Sequence, residues 1–186
     1  MTAAWYETEV HAQLRAQARR FAEKEIAPHA LAWEEAGGFA PELTGKFAES
    51  GLLGVGYPEA LGGSGGDLSH LLAVQEELIV HGKSVGTVVS GGSHRIALPP
   101  IVRNGTQAQQ ERFVRPVLLG HKVASLAITE PSGGSDVARL KTRAVREGDH
   151  YVVNGQKTWT TLAQTADWIF CLVRTSTEGK PQEGIS

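Results

Sequence analysis

The stretch GHKVASLAITEPSGGSD, residues 120–136, divides the chain into two textures. Val123 to Thr129 is a mostly apolar run that reads as a buried strand. It ends at Glu130-Pro131, because proline offers no N–H to a ladder and confines the residue before it. Ahead of the stretch the apolar residues recur with helical spacing, and behind it short strand-like runs alternate with turn signals. The chain therefore reads as α+β, with an all-α helical domain over residues 1–120 and a β-rich domain over residues 121–186.

Upstream, Leu14, Ala18, Phe21, Ala22, Ile26, Ala30 and Trp33 form one apolar stripe, which Pro28 should kink or break. Pro41 suits the first turn of a helix running to Ser50, with Gly51 at its C-terminal end. Asp67 suits the N-cap of a helix from Leu68 to His81, closed by Gly82. Helical material continues from Val85 to Leu98, where Pro99-Pro100 stops it. Thr106 then caps a last helix carrying Phe113, Val117 and Leu118.

Downstream, Leu140 to Arg146 reads as an exposed alternating strand that turns at Gly148-Asp149. Tyr151-Val152-Val153 followed by Asn154-Gly155 predicts a type I′ hairpin whose second strand is Gln156 to Thr161. Trp168 to Arg174 is apolar and reads as a strand buried on both faces. Gly184-Ile185-Ser186 resembles the opening of one more strand, so the chain is expected to be a fragment.

Composition narrows the function. Eighteen Lys+Arg against 20 Asp+Glu give a net charge of −2, without the basic footprint that nucleic acid requires. The single cysteine excludes an internal disulfide framework and any multi-cysteine metal site. No histidine pairs with another ligand at the spacing of a metal-binding helix, so no metal is expected. The opening residues MTAAWYETEVHAQ show no secretory signal. The longest apolar run, Trp168–Val173, is far short of the ~20 residues that span a bilayer. A cytoplasmic setting is expected.

Of the glycine-rich runs, Gly54-Val55-Gly56 lacks the third glycine of a dinucleotide fingerprint, and Gly62–Gly66 lacks the Lys and Ser/Thr of a phosphate-binding loop. Both read as plain connections. His94, beside Gly91-Gly92-Ser93, is the one histidine suited to line a cavity. In the strand-rich half, Gly133-Gly134-Ser135 lets backbone N–H groups converge beside a hydroxyl, an anion-binding concavity. Strand alternation would put Trp159 and Thr161 on one face. An indole plane, a hydroxyl and a Gly-Ser loop suit a flat heterocycle bearing phosphates; ordinary strand formers beside a simple turn is the other reading.

Ala127-Ile128-Thr129-Glu130-Pro131-Ser132-Gly133-Gly134-Ser135-Asp136 resembles a signature of the acyl-CoA dehydrogenase family. So does Asn154-Gly155-Gln156-Lys157-Thr158-Trp159-Thr160-Thr161 at its distance downstream, and Tyr57-Pro58-Glu59 with its glycine loop resembles the family's N-terminal region. The resemblance covers essentially the whole chain. It implies a helical N-terminal domain, a β-barrel-like middle domain, and a C-terminal helical domain that this chain lacks. It also implies FAD, with Leu126, Ala127, Ile128, Thr129, Gly134, Ser135, Trp159, Thr160 and Thr161 as cofactor contacts. Trp159 would stack on the isoalloxazine and Thr161 would hydrogen-bond near N5. Ser135 and His94 would meet the acyl-CoA, with Val85–Leu98 forming part of the acyl cavity.

The implied reaction is α,β-dehydrogenation of an acyl-CoA thioester, with electrons passed to an electron-transfer flavoprotein. The family's base is a glutamate in the C-terminal domain, so no catalytic residue is expected in this chain and Glu130 reads as structural. A homo- or hetero-tetramer is expected of the full-length protein. Leu162 departs from the family pattern, which commonly has Asn there. The run from Trp159 through Cys171 resembles the large subunits of heteromeric bacterial members, which act on dicarboxylyl-CoA or steroid side-chain CoA thioesters. A flavin-dependent monooxygenase, an acyl-CoA oxidase and a catalytically silent partner subunit are the alternatives.

Overall fold

A computed structural model describes residues 7–186; residues 1–6, which open the stretch read as carrying no secretory signal, lie outside them. The chain forms two compact units, Met1–Val123 and Ala124–Ser186.

The first unit is helical: α1 (Glu9–Phe21), α2 (Ala30–Ala36), α3 (Glu42–Glu49), α4 (Leu68–Gly82), α5 (Val85–Gly91), α6 (His94–Ala97), α7 (Pro99–Asn104), α8 (Gln107–Gln109) and α9 (Arg115–Leu118). As expected, the chain breaks near Pro28: a π-turn over Ala22–Ile26 ends α1, and α2 starts afresh at Ala30. The Asp67 carboxylate caps α4, accepting from the N–H groups of Ser69 and His70. Gly82 is the last residue of α4, and Lys83, at φ 57°, takes the left-handed closing position. The Val85–Leu98 helix is interrupted at Gly92, where α5 gives way to α6.

The core of this unit gathers Ala18, Ala22, Ile26, Leu43, Phe47, Leu52, Val74, Leu78 and Val88. Beside it, Glu77 of α4 is 8% exposed and pairs with Arg19 of α1 at 2.9 Å and with Arg15 at 3.4 Å. The Gly62–Gly66 run is ordered rather than a loose connection: Ser64 N–H donates to Gly54 O and Gly65 N–H to Tyr57 O, both at 2.9 Å. A Cβ on Gly63 would lie 2.3 Å from Tyr57 O, so only glycine permits this approach.

The second unit holds two two-stranded sheets. Strand β1 (Ala124–Ala127) pairs in parallel with β4 (Trp168–Cys171), and β2 (Arg143–Glu147) pairs antiparallel with β3 (His150–Asn154). Arg174 forms isolated bridges to Arg143 and to Ile185, and Val173 exchanges two hydrogen bonds with Ser186.

Three expectations are corrected. Among the described residues no closed barrel forms. The hairpin turns at Gly148-Asp149 and not at Asn154-Gly155, so Gln156 to Thr161 is not a strand. The positive φ of Trp159 (58°) and Leu162 (62°) is incompatible with a pleated ladder, which removes a strand that closure would need. Finally, β4 is half-buried, with Ile169 50% exposed, because its sheet has only two strands. No described helix is long and apolar enough to cross a membrane.

Candidate functional site

In the second unit, three segments converge: β1 with its exit, the loop 129–136, and the irregular segment 156–162. The Thr158 N–H donates to Thr129 O at 2.9 Å, holding the segment against the end of β1. Lys157 Nζ donates to Ile128 O at 2.9 Å and to Glu130 Oε1 at 3.0 Å. The fully buried Ser125 hydroxyl donates to Thr161 O at 2.5 Å. Every anchor therefore reaches a backbone carbonyl or a buried carboxylate, which leaves the side chains of 159 and 161 free of structural duty.

Glu130 is 5% exposed and accepts from the N–H groups of Lys141 at 2.7 Å and Thr142 at 2.8 Å. Burial by itself would raise its carboxyl. Those two N–H groups and the Lys157 ammonium outweigh burial and hold it at about 2. A carboxylate so committed is not a proton acceptor near neutrality.

The Gly-Ser loop is a tight turn: Glu130 and Gly133 exchange two backbone hydrogen bonds at 3.0 Å. The Gly133 N–H is thereby consumed, so the convergent nest expected from three successive residues is reduced at that position. Gly134 lies over Thr129, where a Cβ would stand 3.2 Å from its methyl group. Ser135 is exposed.

Trp159 is the unusual residue. Among the described residues it is the most exposed of the large hydrophobic side chains, at 88%, and its backbone is left-handed. For an L-residue other than Gly, Asn or Asp that conformation costs roughly 1–2 kcal/mol. Strand alternation therefore does not explain its placement beside Thr161, which is also exposed; the anchors on 157, 158 and 161 do. Leu126 and Ala127 are committed to the β1–β4 pairing, opposite Phe170 and Cys171. Ile128, Thr129 and Thr160 are half-buried around the convergence. Sequence reasoning missed Lys157 and Ser125. Their signals were a lone lysine in an otherwise uncharged segment and a hydroxyl in the middle of an apolar strand.

His94 lies in the helical unit. It is 3% exposed, its Nε2 stands 3.2 Å from Leu53 O, and its carbonyl accepts from Tyr57 Oη at 3.2 Å. Burial, helped by the charge of Arg95, pulls the imidazole down to about 3. It lines a cavity of about 20 Å³ with Arg95, Phe47, Leu78 and Val88. Among the described residues no group of His, Cys, Asp and Glu is arranged to hold a metal ion.

A helical unit followed by this small sheet unit, with two glycine-bearing segments meeting at the end of β1, defines a recognisable class. Residues 8–121 match the family model for the acyl-CoA dehydrogenase N-terminal domain, and residues 125–186 match that for the middle domain. The chain belongs to the acyl-CoA dehydrogenase family. It is 37% identical over 183 residues to the caffeyl-CoA reductase-Etf complex subunit CarC of Acetobacterium woodii, covering 97% of this chain and 48% of that one. It is 35% identical to the short-chain specific acyl-CoA dehydrogenase of Clostridium acetobutylicum, covering 93% and 45%. The crystal structure of a probable acyl-CoA dehydrogenase from Mycobacterium abscessus superimposes with a TM-score of 0.93 at 47% identity, over 98% of this chain and 48% of that one. The chain spans about half the length of the curated relatives it matches.

Proposed function

We propose that this chain supplies the flavin-facing wall of an FAD-dependent enzyme that carries out α,β-dehydrogenation of an acyl-CoA thioester. The observation that carries this reading is Trp159, an indole held in a costly backbone conformation and left almost wholly in water. Strain of that kind persists when the surroundings over-determine it and a ligand uses it. An exposed aromatic plane suits the stacking of a flat ring system. In this reading Leu126, Ala127, Ile128, Thr129 and Gly134 present backbone to the cofactor. Ser135 and Thr161 offer hydroxyls to its phosphate and ring edge, and Thr160 sits between the two ring contacts.

The bound flavin would supply the acceptor for a hydride leaving the β carbon. What the chain's own residues do is hold and orient: Ser125 fixes the backbone at Thr161, and Lys157 fixes the segment against Ile128. The α proton needs a base, and Glu130 is withdrawn from that role by Lys157 and two N–H groups. The base and the opposing wall must come from outside this segment. A positioned base contributes on the order of 10²–10⁴ in rate, so residues 1–186 alone should be catalytically silent. An electron-transfer flavoprotein as the acceptor of the electrons, and assembly into a homo- or hetero-tetramer, belong to the same proposal. The kinship to a subunit of an Etf complex supports the first of these.

The test is FAD binding to the chain, followed by flavin fluorescence anisotropy, for wild type, Trp159→Phe and Trp159→Ala. Stacking is worth about 0.5–1.5 kcal/mol beyond area, so Trp159→Ala should bind several-fold more weakly and Trp159→Phe should fall between. Identical affinities in all three would sink the reading.

A further inference from the structure

A cleft of about 200 Å³ opens in the helical unit between the end of α2 and α5. Trp33 and Phe39 wall it with aromatic rings set edge to face, their centroids 6.5 Å apart. Both are half-buried and packed against the core of the unit, which fixes the two walls. Gly37 and Gly86 line it without side chains and leave room between the elements. Gly86 and Ser90 lie about 100° around α5 from the exposed Val85 and Val89. The cleft therefore does not share the apolar face of that helix.

The charge of the cleft is one-sided. Glu34 lines it, with Oε1 at 3.0 Å from where a Cβ on Gly86 would stand and accepting from the Ser84 hydroxyl at 3.1 Å. Among the described residues Glu34 enters no ion pair, whereas Glu25 of the same unit holds both Lys24 and Lys46. No lysine or arginine lines the cleft. A hydroxyl bond to one oxygen leaves the carboxylate with most of its accepting capacity. Aromatic rings beside an unpaired carboxylate are complementary to an organic ammonium, whose charge is attracted by both. A hard metal ion demands six or so oxygen ligands, which one carboxylate and a few hydroxyls do not supply.

We propose that the cleft between α2 and α5 binds a small organic ammonium ion, held by the Glu34 carboxylate and the rings of Trp33 and Phe39. The proposal does not depend on the flavin reading, because the cleft is built wholly within the helical unit and uses none of the flavin-facing residues. The competing role for Glu34 is purely structural, a tie through Ser84 to the start of α5.

The experiment titrates the ¹⁵N-labelled chain and follows the Trp33 indole Nε1–H resonance, assigned by its loss in Trp33→Phe. The probes are tetramethylammonium chloride, tert-butyl alcohol as a neutral molecule of similar size and shape, and sodium chloride. Tetramethylammonium should shift the resonance saturably and bind about fivefold or more tightly than tert-butyl alcohol. Glu34→Gln, which keeps an acceptor for Ser84, should remove most of that preference. A shift that fails to saturate, a shift that sodium chloride reproduces, equal binding of the two organic probes, or an unchanged preference in folded Glu34→Gln overturns the proposal. The comparison of probes on the wild-type chain decides the matter even where the variant does not fold.

Discussion

Lys157 and Glu130 form an ion pair at 3.0 Å with only 10% and 4% of their side chains reached by solvent. The pair joins the segment bearing Trp159 to the loop bearing Ser135, and Lys157 adds a bond to the Ile128 carbonyl. One buried contact therefore sets the spacing of the whole candidate site.

Removing one partner strands the other charge. Lys157→Met should destabilise the second unit by about 3–5 kcal/mol, the usual penalty for a buried charge left alone. Adding Glu130→Gln to Lys157→Met should recover part of that loss, since no net charge then remains buried. Urea denaturation and amide exchange at Thr158 would report both effects. Single and double variants of equal stability would refute the coupling.

The two units should respond to acid in sequence. Burial lowers His94 from 6.5 to about 3, so the unfolded chain takes up its proton first. The helical unit then loses stability as pH falls from 6.5 toward 3. Glu130 is lowered from 4.5 to about 2, so its contribution is complete above 4.5 and disappears as pH falls through about 2. Amide exchange measured against pH should show the helical unit weakening first, and Glu130→Gln should flatten the response of the second unit alone.

Trp159→Gly should change stability and ligand binding in opposite directions. Glycine adopts φ 58° without steric cost, and an 88% exposed indole contributes little packing. The free chain should therefore gain about 0.5–1 kcal/mol while its FAD affinity falls. Thermal unfolding with and without FAD measures both. A variant that loses stability in the absence of FAD would show that the indole serves the fold.

Leu162 also has left-handed backbone, at φ 62°, in the turn where Ala166 N–H donates to its carbonyl at 2.9 Å. Asparagine, the residue that the family pattern commonly places there, tolerates this conformation. Leu162→Asn should raise stability by about 0.5–1 kcal/mol, reduced by whatever packing the half-buried leucine provides. An unchanged or lower melting temperature would mean that its packing outweighs the strain.

The helical half was legible because its signals are local. Pro28 and Asp67 act on their immediate neighbours, and the break and the cap lie where they indicate; Pro99-Pro100, read as a stop, instead open α7, where the missing N–H groups cost nothing. The second half was less so. Gly148-Asp149 and Asn154-Gly155 both read as turns, and nothing local chose between them. A Cβ at Gly155 would lie 2.4 Å from Thr142 Oγ1, so that glycine serves close approach across the end of the β2–β3 ladder. The conformations of Trp159 and Leu162 follow from anchors on Glu130, Ile128 and Ser125, which are distant in sequence. Motif spacing singled out the candidate residues, but the period-two argument for their arrangement failed because the segment is not a strand.

The parallel pairing of β1 with β4 has a consequence for the order of assembly. Ala124 meets Trp168 across the whole β2–β3 hairpin and the segment that follows it, whereas the hairpin closes through neighbours in sequence. Loop-closure entropy makes the non-local pairing the slower event. The segment carrying Trp159 lies inside that long loop, so its geometry is completed late in folding, after the hairpin has formed. A molecule that binds the finished surface would slow its reopening far more than it would speed its formation.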